Sequence, residues 1–255
     1  MDIRIDWITE SPAWTLGWTR HMNRHDNAIT TREFWDAHAA AAALSADEPP
    51  VLADLFRRYL PASTQPGRRA LEIGAYPGRF LYHLAANYGY EPFALDYCEA
   101  AKALPSMFEA AGAPELTLFH EDFLQWSTSE RFDLVYSFGF IEHFNEWPGM
   151  IRRHAELVAE GGYLFLTTPY FRKLQYALHW LLDTPNLRQH NIHAMDDRAW
   201  RRILASCGFE ILTCGPYGTC EFWLDVGLVG PARGLAGRAI SRLSQVLDRR
   251  LSWPN

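Results

Sequence analysis

From residue 69 onward the chain alternates short apolar runs with helical segments, and no other feature limits its possible folds as much. ALEIG (70–74), PFALD (92–96), LTLFHED (116–122), FDLVYSF (132–138) and YLFLTTP (163–169) read as strands. Between them, GRFLYHLAANYG (78–89), CEAAKALPSMFEAAG (98–112, kinked at Pro105) and WPGMIRRHAELVAEGG (147–162, with a glycine stop) read as helices. A further helix over 196–208 precedes a sixth strand, FEILTCG (209–215), and a seventh, CEFWLDVGLVG (220–230). Strands separated by helices require parallel crossovers, so the pattern predicts an α/β fold: a mostly parallel, doubly wound sheet with helices on both faces.

Three segments lie outside this rhythm. Residues 1–66 are helical and aromatic-rich, with Trp7, Trp14, Trp18 and Trp35, a helix over 32–44, and an amphipathic helix over 51–60 behind Pro49 and Pro50. This segment reads as a lid or as a packing layer. The stretch PASTQPG (61–67) marks the boundary to the main domain, 67–230. Residues 170–195 form an insertion after the fifth strand, where a rigid frame commonly carries substrate contacts. Residues 231–255 hold five arginines against one aspartate, with Leu235, Ala239, Leu243, Val246 and Leu247 on one side. That tail reads as a helix covering an apolar edge, as an oligomer contact, or as a membrane-surface helix.

Charge and cysteine use exclude several functions. The 255 residues carry a net charge of −6, which argues against a duplex nucleic-acid binder. Cys98, Cys207, Cys214 and Cys220 form no CxxC pair, so no zinc framework or thioredoxin-like motif is present. No secretory signal pattern opens the sequence, and a reduced cytoplasmic protein is the expectation.

The turn after the first strand is the most informative local sequence. Gly74-Ala75-Tyr76-Pro77-Gly78 lets a ligand approach the backbone at the carboxyl edge of the sheet. It is not a dinucleotide fingerprint, because Tyr76 and Arg79 stand where that pattern needs glycine, and no Walker lysine follows. Asp96 ends the second strand, where a carboxylate can accept both ribose hydroxyls. Asp122 ends the third, where it can accept from an exocyclic adenine amine. Either aspartate alone could be a turn residue. Together with the glycine turn they indicate a nucleoside bearing a smaller polar group.

LEIGAYPGRF, FALDY, FHEDF, FDLVYSFGFIEHF and EGGYLFLTTP, in this order and spacing, resemble the class I S-adenosylmethionine-dependent methyltransferases over residues 69 to about 215. The resemblance implies a seven-stranded sheet with the last strand antiparallel, and S-adenosylmethionine as cofactor. It assigns Glu72, Gly74 and Gly78 to the methionine end, Asp96 to the ribose, and Asp122 with Phe123 to the adenine. Tyr76, Tyr97 and Ser137 complete the implied cofactor set; Tyr76 departs from the family by replacing its middle glycine. The loop 138–144 is implied to lie beside the sulfonium. The tetrapeptide by which nucleic-acid amino-methyltransferases grip a flipped base is absent there.

His143, His179 and His190 are the candidate catalytic residues, since an imidazole can take a hydroxyl proton near neutral pH. Two of them also have a structural reading: Glu142-His143 as a turn pair, His190-Asn191 as a cap. No carboxylate–histidine set shows metal spacing, so no catalytic metal is expected. The function expected is methyl transfer to a small-molecule acceptor, oxygen first and nitrogen second. A non-catalytic cofactor-binding subunit or sensor is the alternative, and an RNA methyltransferase ranks third.

Overall fold

The computed structural model describes residues 27–39, 53–60 and 67–217. Two helices precede the sheet: α1 (Arg32–Ala39) and α2 (Ala53–Tyr59). Then follow β1 (Arg69–Ile73), α3 (Arg79–Tyr88), β2 (Glu91–Leu95), a 3-10 turn (Glu99–Ala103) running into α4 (Leu104–Ala110), β3 (Thr117–Phe119) and β4 (Phe132–Phe138). After these come α5 (Trp147–Glu156), β5 (Val158–Thr167), α6 (Leu174–Leu182), α7 (Thr184–Arg188) and α8 (Asp197–Ser206). The described strands form one sheet in the order β3-β2-β1-β4-β5, and every pair is parallel.

Alternation along the strands sends side chains to two cores. Ala70 of β1 and Leu134 and Tyr136 of β4 join Phe56, Leu81, Leu84, Leu104 and Phe108 on one face. Leu71 and Ile73 of β1 and Val135 of β4 join Met150, Ile151, Trp200 and Ile203 on the other. Helices α2, α3 and α4 cover the first face and α5 and α8 the second, as expected for a doubly wound sheet. Phe56 is the hub of the first face: fully buried, its ring lies 5.5 Å from Phe165, 5.9 Å from both Tyr136 and Phe138, and 6.3 Å from Phe80. Helix α2 of the aromatic N-terminal segment therefore packs as core.

The structure departs from the sequence reading in four places. The helix expected over 98–112 splits into a 3-10 turn and α4, with Pro105 in the first turn of α4. The third strand shortens to Thr117–Phe119. The helix expected to run to Gly162 ends at Glu156, and β5 begins at Val158. Val158 pairs with Phe132, Tyr163 pairs with Leu134, and the glycines lie in the bulge between. Finally, among the described residues 209–215 forms no strand. The seventh expected strand, 220–230, and the tail 231–255 lie outside the described residues. Among the described residues no helix is long and apolar enough to cross a membrane.

A Cβ added at Gly162 would sit 2.8 Å from the Asp133 carbonyl oxygen and 2.9 Å from that of Ala159. Gly162→Ala should therefore destabilise the fold by about 1–3 kcal/mol, since backbone on both sides must shift. Urea denaturation would register this as a lower midpoint with an unchanged slope.

Candidate active site

The carboxyl edge of the sheet opens into a cavity of about 210 Å³, lined by residues from four strand ends and from α1. Gly74, Tyr76, Asp96, Tyr97, Asp122, Phe123 and His143 all line it, as the sequence reading expects. Phe138 and Phe140, from the loop expected beside the sulfonium, and Trp35, from the segment read as a lid or packing layer, line it too, together with Thr30, His38 and Cys98, which the sequence motifs did not single out.

Asp96 is nearly buried, and its carboxylate closes two turns at once. Oδ2 accepts from the Tyr76 backbone N–H at 2.9 Å and Oδ1 from the Cys98 N–H at 2.8 Å. One bond to each oxygen leaves lone pairs for the two hydroxyls of a ribose. Burial, reinforced by Asp96, pushes the Cys98 thiol up to about 12, so that cysteine is a neutral wall and not a nucleophile. Gly74 has φ +71°, and a Cβ there would lie 3.0 Å from the Phe140 ring. Glycine is thus required both by the backbone and by the ring packed against it. Phe140 also meets Phe123 edge-on at 5.7 Å.

The far end of the cavity is organised by Arg153 of α5. Its guanidinium donates to the carbonyls of Leu124 at 2.9 Å and Trp126 at 2.8 Å, and lies 4.9 Å from the Phe123 ring centre. Asp122 Oδ1 accepts from the Leu124 N–H at 3.0 Å, holding the same loop from inside.

Three expected cofactor residues support the cavity without lining it. Glu72 is buried in β1 and accepts from the Tyr136 hydroxyl at 3.0 Å. Burial raises its carboxyl to about 8, so it is protonated at neutral pH. Gly78, at φ +79°, makes room for Leu104 and Phe108. Ser137 is fully buried inside β4.

Segment 27–30 is bound to the loop after β4. The Ile29 N–H donates to the His143 carbonyl at 2.8 Å, the Asn145 N–H to the Asn27 carbonyl at 2.8 Å, and the Glu146 N–H to Asn27 Oδ1 at 2.7 Å. Helix α1 is anchored by Asp36, whose Oδ1 accepts from the Glu99 N–H at 2.8 Å. Trp35 is thereby fixed edge-on to the His143 ring at 4.8 Å.

A wider groove adjoins the cavity. Trp35, His38, Gly139 and His143 line both, while Glu142, Gln189 and His190 line the groove. His143 donates from Nδ1 to the Gln189 carbonyl at 2.9 Å, and its ring lies 4.7 Å from that of His190. Burial, with His190 beside it, holds its imidazole down to about 3, well below the near-neutral value expected for a general base. His190 donates from Nδ1 to the Asn186 carbonyl at 2.7 Å. His179 lines neither cavity: it is fully buried, with its ring 4.1 Å from that of Phe171 and Nδ1 3.5 Å from Asp183. Glu142 is fully buried, and burial raises its carboxyl to about 8.

Comparison with known proteins agrees with this geometry. The family described as a methyltransferase domain matches residues 44–213. No curated protein matches. Among solved structures, a Bacillus subtilis protein, YcgJ, is 14% identical with a TM-score of 0.55, over 74% of this chain and 81% of that one. A candidate methyltransferase from Bacillus halodurans C-125 is 20% identical with a TM-score of 0.52, over 64% and 70% of the two chains. A Haemonchus contortus phosphoethanolamine N-methyltransferase, solved with phosphomonomethylethanolamine and S-adenosylhomocysteine, is 18% identical with a TM-score of 0.50, over 62% and 36%.

The buried Glu72 makes a prediction about pH. Its carboxyl keeps its proton up to about 8 in the folded chain, against an ordinary value of 4.5. The folded state therefore binds more protons between these values, and stability falls as pH rises through that window. Glu72→Gln should remove this contribution. Denaturation midpoints measured across the window should fall less for the variant than for the native chain.

Proposed function

The chain belongs to the class I S-adenosylmethionine-dependent methyltransferases, and from that premise we propose that it methylates a small-molecule acceptor held in the groove beside the cofactor cavity. The observation that carries this reading is the wall that cavity and groove share: Trp35, His38, Gly139 and His143. An acceptor in the groove reaches the cofactor past these four residues, between the loop 138–144 and the segment 170–195.

The residues present fit the cofactor. Asp96 retains acceptor capacity for a diol, Gly74 leaves space at the turn, and Asp122 with Phe123 closes the far end. When bound, S-adenosylmethionine supplies an electrophilic methyl group on a sulfonium. Asp96 orients the ribose, and the rings of Trp35, Phe138 and Phe140 exclude water from the reacting end. His143 has its Nδ1 proton committed to Gln189, which leaves the lone pair on its other ring nitrogen, in the wall that cavity and groove share.

A hydroxyl oxygen is the first acceptor, on a secondary metabolite or a sugar, because a lone pair at the shared wall can receive its O–H. Nitrogen is the second, the acceptor named for the Haemonchus contortus relative. An RNA acceptor ranks third, disfavoured by the acidic chain and by the missing base-gripping tetrapeptide.

Two measurements test this. Asp96→Ala should weaken S-adenosylhomocysteine binding by about 1–3 kcal/mol in calorimetry, because charge-assisted bonds to the ribose are lost. Hydroxyl-bearing acceptors should produce S-adenosylhomocysteine from S-adenosylmethionine faster than their amine counterparts do. The reverse order would move the acceptor to nitrogen.

A further inference from the structure

We propose that Glu142, His143 and His190 bind one divalent transition-metal ion of the Zn²⁺ type in the wall of the acceptor groove. One carboxylate oxygen and one ring nitrogen from each histidine lie within 4.8 Å of one another. Bonds of about 2.0–2.2 Å to one ion would bring such a set to mutual spacings of roughly 3.4 Å, a closure that side-chain rotation can supply.

Three independent features point to an ion. First, Glu142 is fully buried, and no other residue supplies a hydrogen bond to either carboxylate oxygen; only its own backbone N–H faces the group. A buried carboxyl without a partner is costly, and a cation is the partner that offsets most of that cost. Second, both histidines are set up as ligands. A carbonyl can only accept, so the bonds to Gln189 and Asn186 place the ring proton on each Nδ1 and leave each Nε2 with its lone pair. Carbonyls holding the outer nitrogen are the usual support of metal-ligating histidines.

Third, the backbone fixes the set in advance. The Asn191 N–H donates to the Glu142 carbonyl at 2.6 Å, and Asn191 Nδ2 to the Phe144 carbonyl at 3.2 Å. Together with the Gln189–His143 bond, these tie residues 189–191 to 142–144. His190 is therefore held against the Glu142-His143 pair by groups outside the ligand set.

Two imidazoles and one carboxylate favour a first-row transition ion over Mg²⁺ or Ca²⁺, which take oxygen ligands. Three protein ligands leave a position open, as in catalytic sites. With the ion bound, the His143 lone pair is committed to it, and the open position, in place of that lone pair, would take the hydroxyl oxygen of the acceptor and lower its proton affinity, as such ions do for water. That role rests on the methyl-transfer reading; ion binding itself does not.

The test uses the full chain stripped with a chelator and titrated with Zn²⁺ by calorimetry, with S-adenosylhomocysteine binding measured in parallel. One Zn²⁺ per chain is expected. Glu142→Gln and His190→Ala should each weaken binding by at least about 10–100-fold, the range for losing even an outer partner. His193→Ala, at an exposed position on the same segment, should leave it unchanged. Co²⁺ added to the unmodified chain should give the visible bands of a low-coordinate site, independent of how well any variant folds. No Zn²⁺ uptake by the native chain, or uptake that neither substitution weakens, overturns the proposal. Site-specific Zn²⁺ uptake without S-adenosylhomocysteine binding would keep the metal site and defeat the methyl-transfer reading.

Discussion

The carboxylate of Asp96 is the interaction on which the site depends. One oxygen holds the turn after β1 through Tyr76, and the other the turn after β2 through Cys98. Parallel strands end at the same edge, so their turns are neighbours, and one side chain can satisfy backbone donors from both. The acidic group proposed to hold the ribose is therefore also the group that shapes the floor of the cavity. Its orientation is set before any ligand arrives, which lowers the cost of ordering the site.

A second set of bonds builds the opposite wall. Segment 27–30 is hydrogen-bonded to residues 143–146, and α1 is held by Asp36 on the turn after β2. The N-terminal residues thus connect the strand ends on the two sides of β1. Phe56 anchors the following helix in the core by aromatic contacts to β4 and β5. The N-terminal segment consequently does two jobs among the described residues: α2 fills a core face, and α1 forms a cavity wall.

Much of this was legible in the sequence, for a physical reason. The first two strands, the turn glycines, and Asp96 and Asp122 are local features, decided by residues within a few positions of one another. Apolar runs bounded by Gly and Asp leave little choice of conformation. Gly161 and Gly162 misled because glycine ends helices and forms bulges equally well, and only pairing with β4 decides between them. FEILTCG has the composition of a strand, but the segment expected as the last strand, 220–230, lies outside the described residues. The packing of Trp35 against His143 was hidden because it depends on bonds between distant segments. For the same reason the low basicity of His143 could not be foreseen: it follows from burial beneath Trp35 and beside His190.

The Glu142, His143 and His190 cluster takes this argument furthest. Metal spacing is recognised in sequence when the ligands share one helix or one turn; here two adjacent residues meet a third from the segment after β5. Only the bonds from residues 189–191 to residues 142–144 bring them together. Glu142 is fully buried, and a low dielectric acts in both directions. It makes an uncompensated carboxylate expensive, and it makes a cation placed beside that carboxylate strongly held. A methyl-transfer site gains from dryness, and in this fold dryness leaves one buried acid and two oriented imidazoles facing a groove. An ion at that point would remove the electrostatic cost of the dry wall and act on an acceptor oxygen where the groove meets the cofactor cavity.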